Sequence, residues 1–251
     1  MLFAVLTLSA GLAARSQEVV KPSGGSLLQE GKIVYERKIN MHRRMTDESM
    51  KAMIPEFNIA KTELYFSGGE SIYRNVKTEE DIRDKAGEEN NGNLVMRMGG
   101  ADDQIYKNYA QEKMIQQKEL GPKKYIIEDS IYRQNWKMEE VTRVIKGYTC
   151  KKATTHNREG KDVIAWYCED IPSSSGPEIF GGLPGLILEL NINDAEIVFS
   201  ALEIGAGDFD KKIVRAPSDG KKISRKEFQR MQEEAFGASS DGGPTIRIIR
   251  N

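Results

Sequence analysis

Two cysteines, Cys150 and Cys168, and two histidines, His42 and His156, are the scarcest reactive side chains in this chain. Paired thiols serve a disulfide in an oxidising compartment or half of a metal site. Spacing helps to choose between them. Asn157-Arg158-Glu159-Gly160-Lys161 separates two alternating runs, and a three-residue loop ending on Gly160 closes a hairpin. That register sets Asn157 opposite Lys161, Lys152 opposite Trp166, and Cys150 opposite Cys168. Residues facing each other in a non-hydrogen-bonded antiparallel pair have Cα atoms about 4.5 Å apart, within disulfide range. A Cys150–Cys168 disulfide is therefore expected, contributing about 3 kcal/mol for so short a loop. Metal binding by two thiols is the weaker reading, because no further ligands cluster nearby in sequence.

Other chemistry is thin. The same register puts His156 opposite Asp162, an ion pair at a hairpin end rather than a catalytic dyad. Ser173-Ser174-Ser175-Gly176-Pro177 offers hydroxyls without a neighbouring base. Glu169 and Asp170 are adjacent, so on a strand they point to opposite faces and cannot flank one bond. Gly-x-Ser-x-Gly, Cys-x-x-Cys and paired metal histidines are all missing from the sequence. Met41-His42-Arg43-Arg44-Met45, with Met50 and Met53 beyond, would suit Cu(I), but methionines at helical spacing usually fill gaps in a core. No catalytic residue, metal ligand or cofactor is assigned.

The elements that must carry these residues are mostly strands. Lys32 to Met41 alternates, with Ile33, Tyr35, Ile39 and Met41 on one face. Thr46 to Met53 fits a short helix stopped by Pro55. Lys61 to Phe66 and Glu70 to Val76 flank Ser67-Gly68-Gly69 as a hairpin. Further strands are expected at 104–109, 114–118, 124–128, 136–138 and 141–145. Ser224 to Phe236 is the one strong helix, with Ser224 and Glu227 as a capping box and a stripe of Phe228, Met231, Ala235 and Phe236. The predicted fold is mainly β: a curved antiparallel sheet of hairpins, like a bowl or half-barrel, with one C-terminal helix and a short N-terminal one.

Gly181-Gly182-Leu183-Pro184-Gly185-Leu186-Ile187 leads into that sheet. Pro184 and Gly185 fit the centre of a type II turn, which demands positive φ at Gly185. A phosphate loop would instead continue with Lys-Ser/Thr and a helix. Asn193-Asp194 turns the chain, and Leu186, Leu188, Leu190, Ile192, Ala195, Ile197, Phe199 and Ala201 share a face too apolar to stay wet. Another part of the sheet, or the helix after Ser224, should cover it.

A nearly balanced charge, 37 basic against 38 acidic residues, argues against nucleic acid as a main partner. Residues 1–16 read as a signal peptide and 17–251 as one domain, with a mobile charged loop at 77–93 and a flexible tail from about 237. No later stretch has the apolar length of a membrane helix, so an integral membrane protein is not expected.

Lys146-Gly147-Tyr148-Thr149-Cys150-Lys151-Lys152-Ala153, Ala165-Trp166-Tyr167, Ile171-Pro172, Gly176-Pro177 and Phe180 to Leu188 together resemble the GLPGLI family. The resemblance implies a secreted or envelope-located bacterial protein and transfers no catalytic residues. In that family threonine is common where Cys168 stands, so the disulfide belongs to this chain or a subset. The resulting expectation is an exported, non-catalytic binding or scaffold protein of the periplasm, outer membrane or medium. Its ligand would be a lipid, a peptide or another envelope protein, touched by Tyr148, Trp166, Ser174 and Phe180. The alternatives are a secreted hydrolase and a periplasmic copper protein.

Overall fold

The structure is a computed structural model that describes residues 27–77, 96–98, 100–207, 209–236 and 246–248. The expected leader, most of the 77–93 loop and most of the tail lie outside the described residues.

The main strands, in chain order, are β1 (Glu30–Asn40), β2 (Phe57–Ser67), β3 (Glu70–Asn75), β4 (Met96–Met98), β5 (Gln104–Asn108), β6 (Lys113–Leu120) and β7 (Lys123–Ser130). They continue with β8 (Lys137–Ile145), β9 (Tyr148–His156), β10 (Asp162–Cys168), β11 (Leu186–Ile192), β12 (Ile197–Ala206), β13 (Lys221–Lys222) and β14 (Ile246–Ile248). Among the described residues, two α-helices, α1 (Glu48–Met53) and α2 (Arg225–Phe236), complete the fold. Twelve strands form one sheet in the order β13-β7-β6-β5-β3-β2-β1-β12-β11-β10-β9-β8, while β4 and β14 pair separately. All pairs in the large sheet are antiparallel except β13 with β7. Its ends, β13 and β8, do not meet, so the sheet stays open.

Curvature follows from who shares a core. One apolar cluster joins Ile33, Leu64, Tyr73, Ile105 and Met114 to Ala153, Val163, Leu190 and Phe199, from strands in both halves of the sheet. A flat sheet could not bring these side chains together. Bulges at Val34/Tyr35, Glu139/Thr142 and Trp166/Tyr167 add local twist. The result is a mainly β, curved sheet, as the alternation implied. The apolar face of β11 and β12 is buried in that cluster and is covered by the rest of the sheet, except that Ala195 lies exposed in the turn between the two strands. Helix α2 instead closes the β7 end, where Phe228 packs edge-on to Tyr125 with ring centroids 5.8 Å apart. Ser224 Oγ accepts the Glu227 N–H at 3.1 Å, the expected cap.

Three expectations need correction. Gly185 is not among the residues of positive φ, so the type II turn is not formed; Gly182, at φ 85°, carries the left-handed conformation. Gly185 is needed for a different reason, because a Cβ there would meet the Cys168 carbonyl oxygen at 2.1 Å. Met50 and Met53 are exposed rather than gap-filling, since α1 is one short turn that buries none of its residues. Finally, Ala235 is exposed, because the contact of α2 with the sheet is made near Phe228 and Met231.

Candidate functional site

The segment between β10 and β11 folds back into the bowl as a plug. Ile171, Phe180 and Leu183 are buried in the main cluster. Backbone bonds stitch the segment together: Gly182 N–H to Ser174 O (2.7 Å), Leu186 N–H to Ile171 O (3.0 Å) and Ile187 N–H to Ser175 O (3.1 Å). Tyr35 donates its hydroxyl to Ile187 O at 2.6 Å, and Trp136 its indole N–H to Gly181 O at 2.9 Å.

The centre of this arrangement is Lys107. It stands on the same face of β5 as Ile105 and is fully buried. Its Nζ donates to the carbonyls of Gly176 (3.0 Å), Glu178 (2.9 Å) and Phe180 (2.7 Å). Burial pulls the ammonium down to about 7, while the charge of Glu178 pushes the other way. Three acceptors demand three N–H donors, and only the protonated amine has them. Lys107 is therefore an ammonium that shapes the plug. Glu178, at φ 52°, is held in the left-handed region, a conformation a non-glycine residue keeps only when its surroundings impose it.

Beyond the plug, the concave face remains open as a cavity of about 530 Å³. Its floor is the inner face of β1, β3, β5, β6, β7 and β12, including Arg37, Tyr73, Gln116, Ile127 and Phe199. The plug tip, α2, the residues after β7 and the β9–β10 hairpin tip form its walls. Charges here come mostly in pairs. Arg37 Nη1 lies 3.7 Å from Glu178, and Lys118 Nζ 3.1 Å from Asp103. Glu196, only 3% exposed, receives Arg44 at 2.8 Å and Lys161 at 3.5 Å. Burial raises the Glu196 carboxyl, but Asn193, Arg44 and Lys161 together hold it below the ordinary carboxylate value. Burial opposes Lys118 in the same way, and its acidic neighbours Asp103 and Glu178 still leave it above the usual lysine value.

The sequence-proposed contact residues are not gathered here. Phe180 lines the cavity; Tyr148, Trp166 and Ser174 do not. Trp166 is half-buried beneath the Arg143 guanidinium, 4.1 Å from its ring centre. Tyr148 starts β9 beside the edge strand β8, and Ser174 O is used within the plug. In the motif Gly181 to Ile187, Leu183, Leu186 and Ile187 are core, so its role is structural.

Cys150 and Cys168 are fully buried, and the β9–β10 ladder has the expected register, with Lys151 opposite Tyr167 one step before them. Both are free thiols, so the expected disulfide is not formed in the structure. Cys150 Sγ donates instead to Tyr148 O at 3.6 Å. The neighbouring thiol, with backbone N–H groups of Asp170 and Ile171, holds Cys168 below the ordinary thiol value, and the nearness of Cys168 together with burial pushes Cys150 far up. His156 and Asp162 pair at 3.0 Å on the exposed hairpin end. The His42 ring bonds Ile54 O at 2.7 Å, and Met41 is buried with Ile39 and Ile54, so these residues serve packing. Among the described residues, no three His, Cys, Asp or Glu side chains cluster as a metal site.

Sequence reasoning missed Lys107, Arg37 and Glu178. A signal existed: Lys107 and Arg37 occupy positions of their strands where alternation calls for apolar side chains, beside Ile105 and between Tyr35 and Ile39.

Residues 155–189 match the model of a family described as a protein of unknown function (Porph_ging). No curated protein matches. Among solved structures, two crystal forms of PNGF-II superpose with TM-scores of 0.54 and 0.55 at 16% identity. They cover 81% of this chain but only 33% and 32% of theirs, so the chain spans about a third of their length. An uncharacterized conserved protein from Thermus thermophilus aligns with 80% of the chain and 93% of its own, at 6% identity and a TM-score of 0.42. What the PNGF-II likeness establishes is the fold of this chain.

Proposed function

We propose that this chain is an exported, non-catalytic binding module of the GLPGLI family that holds a small ligand on the concave face of its sheet. The observation that carries the binding role is the cavity. Its volume falls within the roughly 300–1,000 Å³ of ordinary ligand sites. Its floor mixes apolar and aromatic side chains with polar groups already fixed by partners, which lowers the cost of ordering on binding. A saturable probe tests this. N-phenyl-1-naphthylamine, neutral and apolar, should bind the wild type and brighten. Gln229→Trp, on the solvent side of α2 at the cavity wall, should weaken that binding about tenfold by filling the space. Equal binding by both proteins, or none by the wild type, overturns the reading.

Export rests on the leader-like residues 1–16. The family assignment rests on the quoted motifs alone; the match over residues 155–189 is to a family described as a protein of unknown function. Exported protein would meet an oxidising compartment, where the facing Cys150 and Cys168 should join as the disulfide. Thiol counting under denaturing, non-reducing conditions decides both points. Protein recovered outside the cytoplasm of cells expressing the full chain should show no free thiol. Two free thiols there would sink the disulfide, and recovery solely from the cytoplasm would sink export.

A further inference from the structure

We infer that the cavity takes a ligand with a single anionic head, a carboxylate or phosphate ester, on an apolar body, the head sitting between Arg158 and Arg225. This rests on the cavity being a binding site and adds the class of its ligand. The argument starts from charge. Arg37, Arg44, Lys118 and Lys161, which line the cavity, each face a carboxylate partner, as do Asp103 and Glu196 a cation. Those groups are spent on one another. Arg158 is not balanced in that way, and Arg225, although paired with Asp129, keeps a terminal nitrogen without an acceptor.

Arg158 is exposed at the tip of the β9–β10 hairpin, its guanidinium 4.3 Å over the ring of Tyr132. Among the described residues, no carboxylate lies within ion-pair distance of it, and its neighbour Glu159 pairs with Lys161 at 3.5 Å. Arg225 opens α2. Its Nε bonds Asp129 Oδ2 at 2.7 Å, but one terminal nitrogen is buried with no acceptor. A buried donor without an acceptor is unfavourable, and a ligand oxygen admitted by a small shift of the Arg225 side chain would satisfy it. Arg158 acts on the carboxylate of Asp129 only from beyond ion-pair distance, while Arg225 pairs with it directly. This part of the wall therefore carries one more cation than anion. The first turn of α2 adds the positive end of its dipole, with Glu227 the acid it carries there.

The rest of the wall selects the body. Ile127, Ile179, Phe180 and Phe228 line the same cavity. A guanidinium pair at the mouth and an apolar lining beyond it describe an amphiphile, not an inorganic ion. Planar guanidiniums suit the two oxygens of a carboxylate or phosphate head.

The test is displacement of N-phenyl-1-naphthylamine from the full chain by dodecanoate, dodecyl phosphate, methyl dodecanoate and dodecylamine, all below micellar concentration. Dodecanoate or dodecyl phosphate should displace the probe at about tenfold lower concentration than the ester, and the better of the two identifies the head group. Arg158→Gln, a change at an exposed hairpin tip, should erase most of the preference for the acid over the ester, read as the ratio of their displacing concentrations. Arg158→Glu should turn the preference toward dodecylamine. Acid and ester competing equally, while the probe still binds, overturns the anionic-head inference and spares the cavity. A wild type that binds no probe overturns both.

Discussion

Replacing Lys107 by methionine should cost the protein about 3–5 kcal/mol and free the loop from Gly176 to Phe180. Methionine matches the lysine stem in length and stays apolar, so packing against the sheet is largely kept. What disappears is the donor set. Three carbonyls, of Gly176, Glu178 and Phe180, now converge on one ammonium at 2.7–3.0 Å in a fully buried place. Each would be left without its donor, and water reaches the site only if the plug moves away from the floor. The left-handed backbone of Glu178 depends on the same clasp, so the loop should relax when it is lost. Urea denaturation gives the energy, and limited proteolysis within 176–180 reports the loop. A variant that melts within about 0.5 kcal/mol of the wild type, with the loop equally protected, would show that the clasp holds nothing.

Gly185→Ala should destabilise by about 3 kcal/mol, more than Gly182→Ala, for which about 1 kcal/mol is expected. The two glycines are three residues apart and fail for different reasons. A methyl on Gly185 would lie 2.1 Å from the Cys168 carbonyl oxygen and 2.8 Å from the Glu169 nitrogen. Both obstacles are backbone at the end of β10, so neither can swing aside like a flexible side chain. A methyl on Gly182 meets nothing within 4 Å, and the penalty there is only the φ of 85°. Denaturant midpoints of the two variants settle the order. If Gly182→Ala proves the worse, conformational strain rather than close approach governs the motif, and the packing of Gly185 on β10 is not the reason for its small size.

Much of the fold was legible in the residue pattern, and particular positions show why. Alternation placed β1, β5, β6 and the β2–β3 hairpin, and the loop ending on Gly160 set the β9–β10 register that brings Cys150 beside Cys168. Asn193 and Asp194 do take positive φ, at 53° and 50°. These features depend on neighbours a few residues away: a period of two, a turn residue, a cap. The apolar face of β11 and β12 also announced that something must cover it, because that much hydrocarbon does not stay in water.

Which of the two expected covers it would receive, another part of the sheet or the helix after Ser224, was not legible, nor was the cavity. Gly185 looked like a turn residue because local chemistry is all that Pro-Gly reveals, whereas its real constraint is a strand end that arrives from earlier in the chain. Trp166 and Tyr148 looked like binding aromatics, but the fold set one under Arg143 and the other beside an edge strand. Lys107, Arg37 and Glu178 carried no motif. A lone charged residue on an apolar face says only that a partner must exist, since a buried charge is stable when it is paired or hydrogen-bonded. The partners here are carbonyls and side chains on a different segment, brought near only when the sheet curls. By itself, then, this sequence determined the strands, the hairpins and a mainly β bowl; the tertiary structure alone decided the plug, the ammonium that clasps it and the cavity left open beside them, because each depends on contacts between residues far apart in the chain.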